Sequence, residues 1–314
     1  MARGAHRGGT HRGGRMSSGA GGGALLVIGD VVTDVVARYR TPLAHGTDTA
    51  AEIRTLPGGA GANAACWAAR SGCADVRLLA RVGSEAREWH EERLRRAGVR
   101  THLVVDEAVP TATVICLVDA SAERTLLTDS GAALRLSPAD WSPSLLDGVG
   151  RLHLSGYLFF ADTSRQLAVA ALESAGERGV PVSVDPASTG FIKELGADRF
   201  LASVEGVETL LPNADEARLL TGLTNVADAA AALSGRVGVA VVTLGGDGAL
   251  VARAGAVTAR VPPVPARAVD STGAGDAFTG AFLAARLAGA DPVAAATAGC
   301  RAGARAVATV GGRP

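Results

Sequence analysis

Along this chain, short runs of consecutive apolar residues alternate with longer stretches whose apolar positions recur every three or four residues. Residues 24–29 (ALLVIG) form the first run. A strand apolar at every position is covered on both faces, so this run predicts a buried strand. Residues 76–80, 151–155, 181–185, 209–211 and 239–244 read as further short buried strands. Helical periodicity separates them at 60–71, 85–97 and 165–177, and the chain closes on helices at 277–287 and 292–307. In the charged helix 85–97, Trp89 and Leu94 are expected on the inner face. Gly245-Gly246 predicts a turn that brings 249–252 back as the hairpin partner of 239–244.

Strands alternating with helices imply an α/β domain whose mainly parallel sheet carries helices on both faces. Two stretches break that rhythm, 36–56 and 101–128. Both have β character without a long helix between, and 113–118 and 124–128 flank a turn at 119–122. They are expected to form a small sheet projecting from the main domain, a lid that keeps water from a transfer reaction. Exposed edges of such a sheet need cover, which points to a homodimer through the lid.

Composition narrows the partners. The 314 residues, 47% apolar, suffice for one large α/β domain. Zero formal net charge argues against a nucleic-acid partner. Lys193 is the only lysine, so lysine-based catalysis has one place to be. Cys66, Cys73, Cys116 and Cys300 match no zinc spacing, and Cys66 and Cys116 read as buried thiols. Residues 1–22 are basic and Gly-rich without an apolar signal-peptide core; they read as a disordered tail, with His6 and His11 in it and Met16 as an alternative start. No membrane span is visible, and a reducing cytoplasm fits.

Ser271-Thr272-Gly273-Ala274-Gly275-Asp276 opens the penultimate helix. A helix start offers unpaired N–H groups and the positive end of its dipole, and glycines there let an anion approach the backbone. Phosphate is the obvious anion. Asp276 then stands where it could take a proton from a hydroxyl while phosphoryl charge develops against the N–H groups. The alternative is an ordinary turn with Asp276 as a cap. No Gly-Lys-Ser/Thr follows, so this is not a Walker loop. Residues 29–34 lack the glycine spacing of a dinucleotide fingerprint.

The stretch 270–278 (DSTGAGDAF) resembles the C-terminal signature of the ribokinase-like, or PfkB, family of carbohydrate and nucleoside kinases. Residues 57–65 (PGGAGANAA) resemble its N-terminal signature. The resemblance covers roughly 24–312 and implies a ribokinase-like three-layer α/β/α domain (23–314) with a small β-sheet lid. It implies an ATP- and Mg²⁺-dependent kinase. Asp276 would be the base, and the N–H groups of Gly273, Ala274 and Gly275 the anion hole. Asp34 would grip substrate hydroxyls, and Gly58, Gly59 and Asn63 would form the second wall. Asn213 and Glu216 resemble the family's Asn-x-x-Glu motif, with Glu216 tied to Mg²⁺, through water if not directly; a solvent-facing helix start is the alternative. Thr243, Gly245 and Gly248 would border the nucleotide. Gly299, Gly303 and Ala306 would shape its adenine side, although helix packing explains small residues equally well. Asp270 and Thr272 would lie near a monovalent cation, K⁺. Val82-Gly83-Ser84-Glu85 departs from the family pattern, with Glu85 for Asp and Glu88 for Gly, which implies altered local packing or an altered substrate-side shape. Arg124 is a candidate substrate contact or a surface partner of Glu123; Arg81 carries a similar ambiguity.

A sugar or sugar acid is the first expected acceptor. A nucleoside is the second, with Tyr157, Phe159 and Phe160 either a wall for a base or core. A non-catalytic sensor is the third reading, against which the retained Asp276 argues.

Overall fold

In this computed structural model, β1 (Ala24–Ile28) is buried at every residue. Its alternate side chains enter two different cores: Leu26 and Ile28 one, Leu25 and Val27 the other. This two-sidedness is why the run is apolar throughout rather than alternating. The structure describes Met1, residues 22–121 and residues 124–314, with Arg124 described by its backbone alone. The expected tail at 2–21, with His6, His11 and Met16, lies outside the described residues, as do Ala122, Glu123 and the Arg124 side chain.

The strands that follow are β2 (Val32–Tyr39), β3 (Ala51–Gly58), β4 (Val76–Gly83), β5 (Val99–Asp106), β6 (Ala112–Val118), β7 (Arg124–Asp129), β8 (Val149–Ser155), β9 (Val182–Asp185), β10 (Thr209–Leu210), β11 (Val239–Thr243), β12 (Ala249–Arg253) and β13 (Ala256–Val261). The helices are α1 (Ala60–Arg70), α2 (Arg87–Arg96), α3 (Asp162–Glu177), α4 (Thr189–Leu195), α5 (Ala197–Ser203), α6 (Ala214–Thr221), α7 (Val226–Ser234), α8 (Ala274–Leu287) and α9 (Pro292–Ala306).

Among the described residues nine strands make the main sheet, in the order β13-β12-β11-β10-β9-β8-β1-β4-β5. Neighbours are parallel from β5 across to β11, and β12 and β13 close that edge antiparallel, with Val241 opposite Val251. Helices α3, α5, α6 and α7 pack on one face and α1, α2, α8 and α9 on the other, giving a three-layer α/β/α fold. The hairpin expected of 249–252 is present.

A second sheet, β3-β2-β6-β7 among the described residues, stands beside it. Its membership differs from the sequence expectation. The stretch 101–128 is divided: β5 pairs with β4 as the edge of the main sheet, and only β6 and β7 enter the small one. β5 is an edge strand that is only partly buried, and that half-exposed pattern made it look like a projecting strand. The small sheet also begins earlier, at Val32, so it carries Asp34. In α2, Leu94 is fully buried as expected, but His90 rather than Trp89 is its other inner residue; the His90 Nε2 lies 3.0 Å from Thr33 Oγ1. No helix among the described residues is long and apolar enough to cross a membrane.

Candidate active site

The loops after β1, β8, β9, β10 and β11 all leave the C-terminal edge of the parallel strands, where open α/β sheets place ligands. There they meet the small sheet and the start of α8 around a cavity of about 300 Å³. The turn into α8 is built for close approach. Gly273 is its N-cap, in the left-handed region at φ 73°, and the Cα and carbonyl of Gly312 occupy the space a Cβ would need. Asp270 fixes the approach: its Oδ1 accepts from Thr272 N at 2.9 Å and Thr272 Oγ1 at 2.7 Å, and its Oδ2 from Gly311 N at 3.1 Å. Ala274, Gly275 and Asp276 form the first turn, whose N–H groups have no partner within the helix.

Asp276 Oδ2 accepts a 2.8 Å hydrogen bond from Asn63 Nδ2. Loss of solvent pushes the Asp276 carboxyl well above its ordinary range; the Asn63 bond opposes this, and the charges of Asp185, Asp30 and Asp34 reinforce it. Asp34 is raised to about 6 by burial, with Arg313 opposing and Asp30 adding. Asp185 is raised to about 6 by burial, against hydrogen bonds from Ala187 N and Thr279 Oγ1, both 3.0 Å. Glu216, 4% exposed, is raised to about 8 by burial and then by Asp185. Crowded carboxyls that resist ionising are a site that a cation would relieve.

Residues 8–314 match the family model described as pfkB family carbohydrate kinase. The chain belongs to the pfkB family. It is 30% identical over 275 residues to a fructokinase of Klebsiella pneumoniae, an alignment that takes in 83% of this chain and 84% of that protein. Its fold is similar to the crystal structure of adenosine kinase from Sinorhizobium meliloti, with a TM-score of 0.83 and 22% identity over 93% of this chain and 96% of that one. It is similar also to ribokinase from Thermotoga maritima, with a TM-score of 0.78 and 24% identity over 92% and 94%. General ATP-dependent kinase activity on a small molecule goes with that membership.

In this pfkB-family chain the cavity gathers Asp34, Gly59, Asn213, Glu216, Thr243, Gly275 and Asp276. Gly58 and Asn63 sit one layer behind. Gly58 is buried under the Asp34 carboxylate, which a Cβ would strike, and Asn63 is engaged by Asp276. Asn213 and Glu216 form a capping box at α6: Asn213 Oδ1 accepts from Glu216 N at 2.9 Å, and Glu216 Oε2 from Asn213 N at 2.9 Å. Glu216 is nonetheless buried rather than solvent-facing. Gly245 and Gly248 make the turn after β11 at φ 58° and 89°. Neither lines the cavity, nor does Gly303, whose Cβ would lie 3.3 Å from the Ala274 carbonyl beneath the turn into α8. Gly299 packs on the Phe278 ring. The Arg124 backbone pairs with Val118 in the small sheet. Arg81 bonds Asp106 and Asp140 at 3.0 Å each and belongs to the frame. Glu85 accepts from Thr111 N at 2.8 Å, holding the crossover between the sheets.

Several site residues escaped the sequence reading. Asp30 holds the N-terminus of α1, accepting from Ala60 N at 2.8 Å, Gly61 N at 3.1 Å and Ser155 Oγ at 3.0 Å. Asp185 ends β9; an acid closing a buried parallel strand was a usable signal. Ala187 lines the cavity at φ 72°, a conformation nothing in its identity announces. Of the three aromatic candidates only Tyr157 reaches the cavity. Phe159 is fully buried, and Phe160 stacks on Phe191 with centroids 5.1 Å apart.

Proposed function

We propose that this kinase transfers the γ-phosphoryl group of ATP to a hydroxyl of a small sugar or sugar acid. One observation carries the reading: a carboxylate held by Asn63 at the mouth of a glycine-built helix start, inside a closed-in cavity. With Oδ2 occupied by Asn63, Oδ1 of Asp276 takes the acceptor's proton as its oxygen bonds to phosphorus and the bond to the ADP oxygen breaks. The developing charge meets the N–H groups of Gly273, Ala274 and Gly275. Asp34 and Gly59 hold the acceptor, with Gly58 packed beneath the Asp34 carboxylate. That sheet serves as the lid. Asn213, Thr243, Gly245, Gly248 and Gly303 border the nucleotide.

Among the described residues no three ligating side chains cluster tightly enough to hold an ion alone. Glu216 and Asp185 suit a hydrated Mg²⁺ that keeps most of its waters and takes substrate phosphates as ligands. Bound there, Mg²⁺ would neutralise phosphate charge. Asp270 and Thr272 would border a K⁺ site. The small sheet exposes Ile53, Ile115 and Leu127, which supports a homodimer through it.

A nucleoside is the second reading. Val32, Ala112, Val114, Leu126 and Ala133, with Tyr157, give the cavity an apolar lining suited to the flat face of a base. ADP release with Mg-ATP over sugars, sugar acids and nucleosides, in K⁺ and in Na⁺, separates the two. Turnover on one class, lost in Asp276→Asn, supports the kinase and fixes the class. Turnover surviving in Asp276→Asn removes the base assignment.

A further inference from the structure

Arg313 lies far from both family signatures in sequence, yet its guanidinium is wedged against one of them. Its Nη2 donates to the Gly58 carbonyl at 2.8 Å, and its Nε donates to Asn63 Oδ1 at 3.2 Å. The segment carrying it is tightly held. Trp67 Nε1 donates to the Gly312 carbonyl at 3.0 Å, and Gly311 N donates to Asp270 at 3.1 Å. Gly312 has no room for a side chain, since a Cβ there would lie 2.5 Å from Asn63 Nδ2. Residues 311–313 therefore fill the space between α1 and the turn into α8.

The consequence concerns the Asn63 amide. An amide offers one acceptor oxygen and one NH₂ donor, and rotating it by half a turn exchanges them. Facing Asp276 with its oxygen would set acceptor against carboxylate. A guanidinium can only donate. With Arg313 Nε on Oδ1, the Nδ2 group is left for Asp276 Oδ2, where the structure has it at 2.8 Å.

We propose that Arg313 is a positioning residue for phosphoryl transfer: through the Asn63 amide it fixes the donor that holds Asp276 Oδ2 and leaves Oδ1 for the acceptor hydroxyl. The inference rests on the reading of Asp276 as base. Asn63's bond favours the ionised carboxyl, so disordering the amide leaves Asp276 harder to ionise. The charged groups facing Asp276 are Asp30 after β1, Asp34 on β2 and Asp185 at the end of β9. Tyr157 and Glu216 share the cavity, and Arg313 stands behind Asn63.

The test is a pH profile of kcat for Arg313→Met, Asn63→Ala, the double variant and Arg313→Lys, beside Asp276→Asn. Arg313→Met is expected to lower kcat on the order of 10–100-fold, the scale of a misplaced catalytic group. Its acid limb should move to higher pH while KM for ATP holds. The double variant should lose no more than Asn63→Ala alone, and Arg313→Lys, which keeps a donor, should recover most of the rate. Should Arg313→Met fail to fold, by circular dichroism, the smaller Arg313→Ala, alone and combined with Asn63→Ala, carries the same non-additivity test. Additive losses, or a wild-type acid limb and rate in Arg313→Met, overturn the proposal. If Asp276→Asn is inactive while Arg313→Met behaves as wild type, only the Arg313 role fails. If Asp276→Asn turns over normally, the base assignment fails and the proposal falls with it.

Discussion

Asp276 and Asp34 are both held above the ordinary carboxylate range by burial, but the two should respond differently to substitution. Asp276→Asn removes the proton acceptor while keeping the shape and the first turn of α8. It should lower kcat by about 10²–10⁴-fold, the usual worth of a general base, with an unchanged melting temperature as the control. Asp34 grips the acceptor instead, so Asp34→Asn should act mainly through KM. In the unsubstituted enzyme Asp34 protonates as pH falls through about 6, and KM for the acceptor should rise over that interval. A KM flat from pH 7.5 to 5.5 would show that Asp34 does not carry acceptor binding. At this scale the sequence was informative where a residue type has few uses, such as an acid after a glycine turn. It was silent on Arg313, because an arginine among glycines looks like any surface arginine until the fold brings it to Asn63.

Among the elements, the crossing of α1 and α8 decides most. Asn63 rides on α1 and Asp276 on α8, so their 2.8 Å bond depends on how closely the helices meet. Gly280 sets that approach: a Cβ there would come within 2.7 Å of Ala68 N and the Trp67 Cβ. The Ala-rich run of α1 is the matching surface. Gly280→Ala should cost about 1–3 kcal/mol by overpacking, read as a lower urea midpoint. It should also lower kcat by spreading the two helices, although residue 280 touches no ligand. Undiminished kcat in the folded variant would uncouple crossing from catalysis. The helices and buried strands were legible because their period or their unbroken apolarity has one structural explanation. β5 was not, because an edge strand of a large sheet and a strand of a small sheet share the same half-exposed pattern.

For the molecule as a whole, the cavity carboxyls set a pH dependence of stability opposite to that of a salt-bridged surface. Glu216 takes up its proton at about 8 in the folded chain against an ordinary value of 4.5, so folding is favoured by protons over that interval. Stability is therefore greater at the acid end and is lost as pH rises through about 8; Asp276 acts in the same direction. His90 and His153, held neutral by burial to about 3, act oppositely, but only as pH falls below their ordinary 6.5. Between pH 6.5 and 8.5 the ligand-free melting temperature should fall, and Glu216→Gln should flatten the slope. A rising melting temperature over that interval would contradict the burial of Glu216.

The sequence by itself determined the alternation of strand and helix, the two-faced sheet, and the residue types of the chemistry at the start of α8, because these depend on local period and on motifs a few residues long. Only the tertiary structure decided which strands form the small sheet, that Asp30 and Asp185 join the other acids around one cavity, and that Arg313 stands behind Asn63. Those facts depend on pairing and burial between segments far apart in the chain. A residue's neighbours across such distances set its protonation and its orientation, and no stretch of sequence contains them.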